Sequence, residues 1–205
     1  EEIFQSFAKK TRNAINKARR EGVRVERVPV TEENSAQLFR LLTETADGRF
    51  PLRPEKYYRA FWREFSEAGQ GQMFLAYSEG DDELLAGAFA LRFGDTSYYK
   101  DGASLRVKKA YGVSHLLQWE IMRWGKESGM VLHDLCGTPP ANRADDETHA
   151  LYGVGRFKRS FKDEVFDFAG AFELALRPRA FKLWKAVGDR IARRLSLWFR
   201  NDPYY

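Results

Sequence analysis

Residues 151–161, LYGVGRFKRSF, place two glycines, three aromatic rings and three cations in eleven positions. Lys158 falls between Phe157 and Phe161; rings four apart share a helix face, so they can anchor an amphipathic turn while Lys158 and Arg159 meet solvent. Nothing local singles out Lys158 over Arg156 or Arg159. The Gly-x-Gly at 153–155 lacks the third glycine and the strand–turn–helix setting of a dinucleotide loop. Arg49 and Arg53 stand in a loop ahead of Pro54, where the guanidinium fork suits a phosphate, although loop arginines are ordinarily just exposed. Tyr98 and Tyr99 point to opposite faces of one strand, so a single one of them can line a cleft, with Tyr99 the candidate. Asp134 sits in the mostly apolar VLHDLCG. A buried carboxylate there needs partners or a raised pKa, and a structural hydrogen-bond hub is the commoner outcome than a proton acceptor.

Other chemistries find little support. Cys136 has His133 and Asp134 nearby, but strand alternation turns His133 away from both Asp134 and Cys136, which argues against a thiol nucleophile. Three scattered histidines and one cysteine offer no metal-ligand spacing, so no metal is expected. The single cysteine excludes an internal disulfide and fits a reducing, cytoplasmic compartment. No apolar run reaches the roughly 20 residues of a membrane span. The chain opens on EEIF without an initiator methionine, as a trimmed piece of a longer protein would.

The elements that must position these residues follow from periodicity. Phe4, Phe7, Ala14, Ile15 and Ala18 recur at helical spacing in a basic opening helix that Gly22 closes. Val23, Val25 and Val28 alternate in a strand. Helices are predicted over about 32–46 and 54–68, then a three-strand meander through QMFLAYS, ELLAGAFALRFG and TSYYKDGAS. GVSHLLQWEIMRWGKESGM reads as a helix, VLHDLCG as a short strand, EVFDFAGAFELAL as another strand and residues 178–199 as a final helix. Charge is uneven: residues 1–28 carry eight Lys/Arg against four acids, and residues 177–205 eight against two. Basic ends around an acidic centre point to a polyanion or an anionic surface, or to two solvated helix faces. The predicted fold is α/β, a mixed, mostly antiparallel sheet flanked by helices, with basic terminal helices.

This order of elements is that of the GNAT-type acyltransferase fold. An acyl-coenzyme A enzyme of that fold needs consecutive backbone amides at a glycine-rich strand-to-helix turn, and RVKKAYGVSHLLQWE supplies only Gly112. Six segments instead resemble, in order, motifs of the FemABX family: FAKKTRNAINKARREGVRV, TETADGRFPLRPEKYY, YYKDGAS, YGVSHLLQWEIMRWGKESGM, HDLCG and GRFKRSF. The family transfers amino acids from aminoacyl-tRNA to peptidoglycan precursors. The resemblance implies that residues 1–176 are the second of two GNAT-like domains, with the first absent, and that residues 177–205 are a basic amphipathic helix. It implies an aminoacyltransferase without a cofactor, using aminoacyl-tRNA as co-substrate and a precursor such as lipid II or UDP-MurNAc-pentapeptide as acceptor. Lys158 with Phe157 matches the Phe-Lys motif beside the transferred acyl group, with Asp134 as a further catalytic candidate. Arg49, Arg53, Tyr99 and Tyr98 become substrate-binding candidates, Arg49 for the diphosphate. For tRNA, the available cations are Lys9, Lys10, Arg12, Lys17, Arg190, Arg193 and Arg194. The last helix can equally lie on the inner face of the membrane or dock on the first domain. An acyl-coenzyme A N-acyltransferase and a non-catalytic RNA- or membrane-docking module are the rival readings.

Overall fold

The computed structural model describes residues 1–105, 111–200 and 202. It contains α1 (Glu2–Ser6), α2 (Lys9–Arg20), β1 (Arg24–Val28), α3 (Glu32–Ala46), α4 (Glu55–Glu67), β2 (Gly71–Tyr77), β3 (Leu84–Phe93), β4 (Thr96–Ser104), α5 (Val113–Glu127), β5 (Leu132–Asp134), α6 (Tyr152–Arg159), α7 (Pro178–Leu183) and α8 (Asp189–Arg200). The strands form one sheet in the order β1-β2-β3-β4-β5. All neighbours are antiparallel except β4 and β5, which run parallel. Period-two alternation divides the core: Phe74 and Ala76 join Ile15, Ala18, Leu117 and Ile121 beneath α2 and α5, while Met73 and Leu75 join Leu38, Leu41 and Trp62 beneath α3 and α4. β3 is buried on both faces from Leu84 to Ala90. Each large core side chain such as Phe74 or Trp62 contributes about 2–3 kcal/mol of burial free energy.

Two local features set the stage for the site. Phe89 faces Asp101 across the sheet and Ala90 faces Tyr99, so Lys100 is an extra residue, a bulge in β4. The bulge sends both Lys100 and Asp101 to the α4 face, where Lys100 lies over Phe61 at 5.0 Å and Asp101 accepts a 2.9 Å hydrogen bond from Trp62 Nε1. The parallel β4–β5 pairing is short, ending at Tyr98 opposite Asp134. Beyond that point β4 continues to Ser104 while β5 has stopped, and the sheet parts.

The sequence pattern is corrected in three places. The opening helix is two, because Phe7 is extended (ψ 150°) and drives its ring between Trp119 and Phe161, at 5.7 and 5.3 Å. Residues 164–176 form no strand: Phe166, Phe168 and Phe172 lie exposed, and Asp167 instead accepts from the Ala141 amide at 3.1 Å. An alternating pattern is a strand only where an edge is available to pair with it, and β5 is three residues long. The final helix is interrupted by a π turn at Trp184–Gly188, where the Trp184 indole lies over Gly188, 2.4 Å from where a β-carbon would stand.

Candidate functional site

Lys158 is held where β4 and β5 part. Its side chain leaves the last turn of α6, donates from Nζ to the Gly137 carbonyl at 2.7 Å and lies 5.9 Å from the Tyr99 ring centre. Burial lowers its pKa, and Cys136 and Asp134 act in the opposite direction. One ammonium N–H is used on Gly137, leaving two for a guest. The neighbouring cations point elsewhere. Arg159 donates to the Ala144 carbonyl at 3.2 Å and pairs with Asp145 at 2.7 Å, and Arg156 is exposed over Tyr152. Structure thus makes the distinction among three cations that spacing could not.

The position of α6 has identifiable causes. Both glycines are helical, so they do not bend the chain. Gly155 is buried on Thr138 and Pro139, and a β-carbon there would meet Pro139 Cδ at 2.5 Å, so its role is close approach of α6 to the irregular segment that follows β5. Phe157 packs edge-on against His115 at 4.9 Å and against Phe161 at 5.5 Å. Phe161 is buried against Phe7, and Thr11 Oγ1 donates to the Ser160 carbonyl at 2.7 Å, tying α6 to α2. Phe157 is therefore an anchor for the turn that presents Lys158.

Tyr99 lines the same opening from β4. Its hydroxyl occupies the space over Gly102, 1.8 Å from where a β-carbon would stand; the bulge brings these two residues to one face. Burial pushes its pKa up to about 12, with Gln118 hydrogen bonding pulling the other way, so the phenol stays protonated and can donate. Tyr98 pairs in register with Asp134 and Leu91, before the parting of the strands. Behind Tyr99, His133 Nδ1 meets Ser97 Oγ at 2.9 Å and Nε2 meets Gln118 Oε1 at 3.3 Å. Burial holds His133 near a pKa of about 4, hence neutral. Asp134 Oδ1 accepts from the Cys136 amide at 2.6 Å, closing a turn in which Cys136 adopts φ 60°. Burial, then Asp134, raise the Cys136 thiol, which keeps it un-ionised and a poor nucleophile.

The remaining candidates are not gathered around Lys158. Arg49 folds back onto the end of α3, its Nη2 donating to Thr45 O at 2.7 Å. Arg53 stacks on Tyr57 at 4.6 Å and pairs with Asp202 at 3.4 Å. Both belong to the α3–α4 connection, whose helices pack on the face of the sheet opposite α5. Arg12 is occupied by the Gln5 and Phe7 carbonyls at 2.6 and 3.1 Å. Lys17 pairs with Glu21 at 3.6 Å and covers Tyr111. Lys9 and Lys10 are exposed at the start of α2, and Lys10 is close enough to His115 to help burial lower its pKa. Arg190 and Arg194 are exposed on α8, where Arg193 pairs with Asp189 at 3.0 Å. The glycine-poor turn ahead of α5 lies mostly in residues 106–110, outside the described residues. Sequence reasoning missed His115, Gln118, Gly102 and the Gly137 carbonyl; the spacing of His115 and Gln118 by three on α5 was the one available signal. Among the described residues no cluster suits a metal ion.

With this geometry in place, comparison with known proteins is informative. The model of the acetyltransferase (GNAT) domain matches residues 5–159. A lipid II:glycine glycyltransferase of Staphylococcus haemolyticus is 24% identical over 256 residues, covering 94% of this chain and 60% of that protein. The Staphylococcus epidermidis protein of the same name is 29% identical over 119 residues, 58% of this chain and 28% of its own length. The chain thus spans three fifths or less of these relatives. The crystal structure of FemX superposes with TM-score 0.66 at 19% identity, over 78% of this chain and 55% of FemX. An aminoglycoside N-acetyltransferase AAC(6')-Iy in complex with CoA superposes with TM-score 0.55 at 13% identity, over 74% of this chain and 94% of that one. The chain belongs to the acetyltransferase (GNAT) domain family.

Proposed function

We propose that this chain is the acyl-transfer domain of an aminoacyltransferase that joins an amino acid, delivered as an aminoacyl-tRNA ester, to an amine on the stem peptide of a peptidoglycan precursor. The observation that carries the proposal is Lys158, half-buried at the parting of β4 and β5 with its ammonium fixed between Gly137 O and Tyr99. The amine attacks the ester carbonyl and a C–N bond forms. The carbonyl oxygen becomes an oxyanion; as it re-forms the carbonyl, the bond between the acyl carbon and the ribose oxygen breaks and the amine proton passes to the departing ribose alkoxide. Lys158 supplies two N–H donors and a charge to that oxyanion, with the protonated Tyr99 hydroxyl as a second donor type. Burial works against the ammonium form of Lys158, and Cys136 and Asp134 offset part of that effect. No cofactor takes part in this scheme.

Lys9 and Lys10 extend the reading to tRNA: they open α2 beside the α6 aromatic cluster, the end of the helix that Thr11 ties to Ser160. Phosphate contacts there give a salt-dependent affinity that carries little sequence information. Arg49 and Arg53 take the acceptor's diphosphate after leaving their present partners. The protein bearing this chain, offered a panel of charged tRNAs and a lipid-linked precursor, yields a product heavier by one aminoacyl group on mass analysis, and K158A abolishes most of it. Saturable binding of acetyl-coenzyme A, with no product from any charged tRNA, would replace this reading with a coenzyme A-dependent one.

A further inference from the structure

The twelve residues of α8 form a helix with no buried residue among those described. Ile191, Leu195 and Trp198, at i, i+4 and i+7, are 51%, 45% and 78% exposed, and Leu197 and Phe199 are exposed as well. α2 and α5, by comparison, bury their apolar stripes in the core. From α7 to α8, residues 178–200 carry seven Lys/Arg and one acid, Asp189. Arg194 sits within the shallow apolar groove formed by Ile191, Leu195, Leu197 and Trp198. Cations interleaved with an apolar face favour an anionic, deformable apolar partner over a neutral one: arginine heads stay at a phosphate layer while aliphatic and indole groups enter the acyl boundary. No helix among the described residues is long and apolar enough to cross a membrane.

We infer that α8 docks this chain on the surface of a bilayer rich in anionic phospholipid, lying in the interface with Ile191, Leu195 and Trp198 inserted and Arg190 and Arg194 at the headgroups. The inference stands on α8 alone and does not depend on the acyl-transfer reading. It is tested by co-sedimentation of the chain with vesicles of phosphatidylglycerol and phosphatidylcholine, and with vesicles of phosphatidylcholine only. Partition onto the anionic vesicles is expected to be at least tenfold the stronger. The double variant R190E/R194E lowers it by roughly tenfold or more, on the scale of losing two interfacial cations, and I191E/L195E does the same. Neither variant shifts thermal unfolding, because no side chain described in α8 is buried. Absence of binding to anionic vesicles overturns the inference. Binding that survives I191E/L195E overturns it too, since attraction would then be charge alone. So does a dimer in light scattering that I191E/L195E disperses, which would show a second copy covering this face. No tRNA or precursor enters the assay, so its failure leaves the proposed reaction untouched.

Discussion

Lys158 illustrates what a side chain gains from its surroundings. On α6 it is one of three cations, and its direction, toward Gly137 and away from Asp145, sets it apart from Arg159. Replacing it by alanine is expected to lower aminoacyl transfer by roughly 10²- to 10³-fold, the usual loss for one oxyanion donor, with unfolding by urea nearly unchanged. K158R should rescue poorly, because the planar guanidinium does not fit a notch built around a compact ammonium. The lowered pKa of Lys158 has a sign: the ammonium is lost as pH rises through a value below that of an ordinary lysine. Transfer should therefore decline on the alkaline side earlier than a free lysine would dictate, seen in a kcat/KM profile from pH 7 to 10. His133, whose pKa burial also lowers, has a consequence for stability. Burial holds its folded pKa at about 4, below the ordinary 6.5 of a histidine, so between these values the unfolded chain takes up a proton that the folded chain refuses. Stability falls as pH drops through that window, by up to about 3 kcal/mol. H133Q should flatten the dependence in urea unfolding measured at pH 7 and pH 4.5.

At the scale of elements, the position of Lys158 depends on how closely α6 can lie to residues 138–139. G155A places a β-carbon against Pro139 Cδ and should cost about 1–3 kcal/mol while also lowering transfer. G153A, which meets nothing within 4 Å, should be neutral or slightly stabilising, as an alanine inside a helix usually is. Urea unfolding of the two variants side by side decides this. α3 shows a simpler dependence: Thr31 accepts from the Asn34 amide at 3.1 Å, and T31A should cost about 1 kcal/mol. Thr31 stands directly before a periodic run, and the expected 32–46 helix is the observed one, Glu32–Ala46. The break at Phe7 was not legible. A phenylalanine at helical spacing reads the same whether it continues a helix or leaves it to fill a hole beside Trp119.

Across the whole molecule, the faces of the sheet are already filled by α2, α5, α3 and α4, and exposed cations gather in two other regions. Lys9 and Lys10 lie at the α6 side through α2, and Arg190 and Arg194 lie on α8. If tRNA uses the first, K9Q/K10Q should reduce the slope of log affinity against log salt by about one to two units while leaving vesicle binding intact. Filter binding over a salt series checks this.

The sequence by itself determined the order of elements from α2 to β5 and the helix-flanked, mostly antiparallel sheet of the GNAT domain, because hydrophobic period and motif order are local properties that survive without contacts. It also named Lys158 and Tyr99, through motif position. Only the tertiary structure decided which cation faces the parting of β4 and β5, that Gly155 serves close packing, and that Tyr99 is backed by Gln118 and His133. It also left residues 164–176 without strand partners. Each of these depends on residues far apart in the chain meeting at one place, and a pattern along one strand or helix holds no record of what stands across from it.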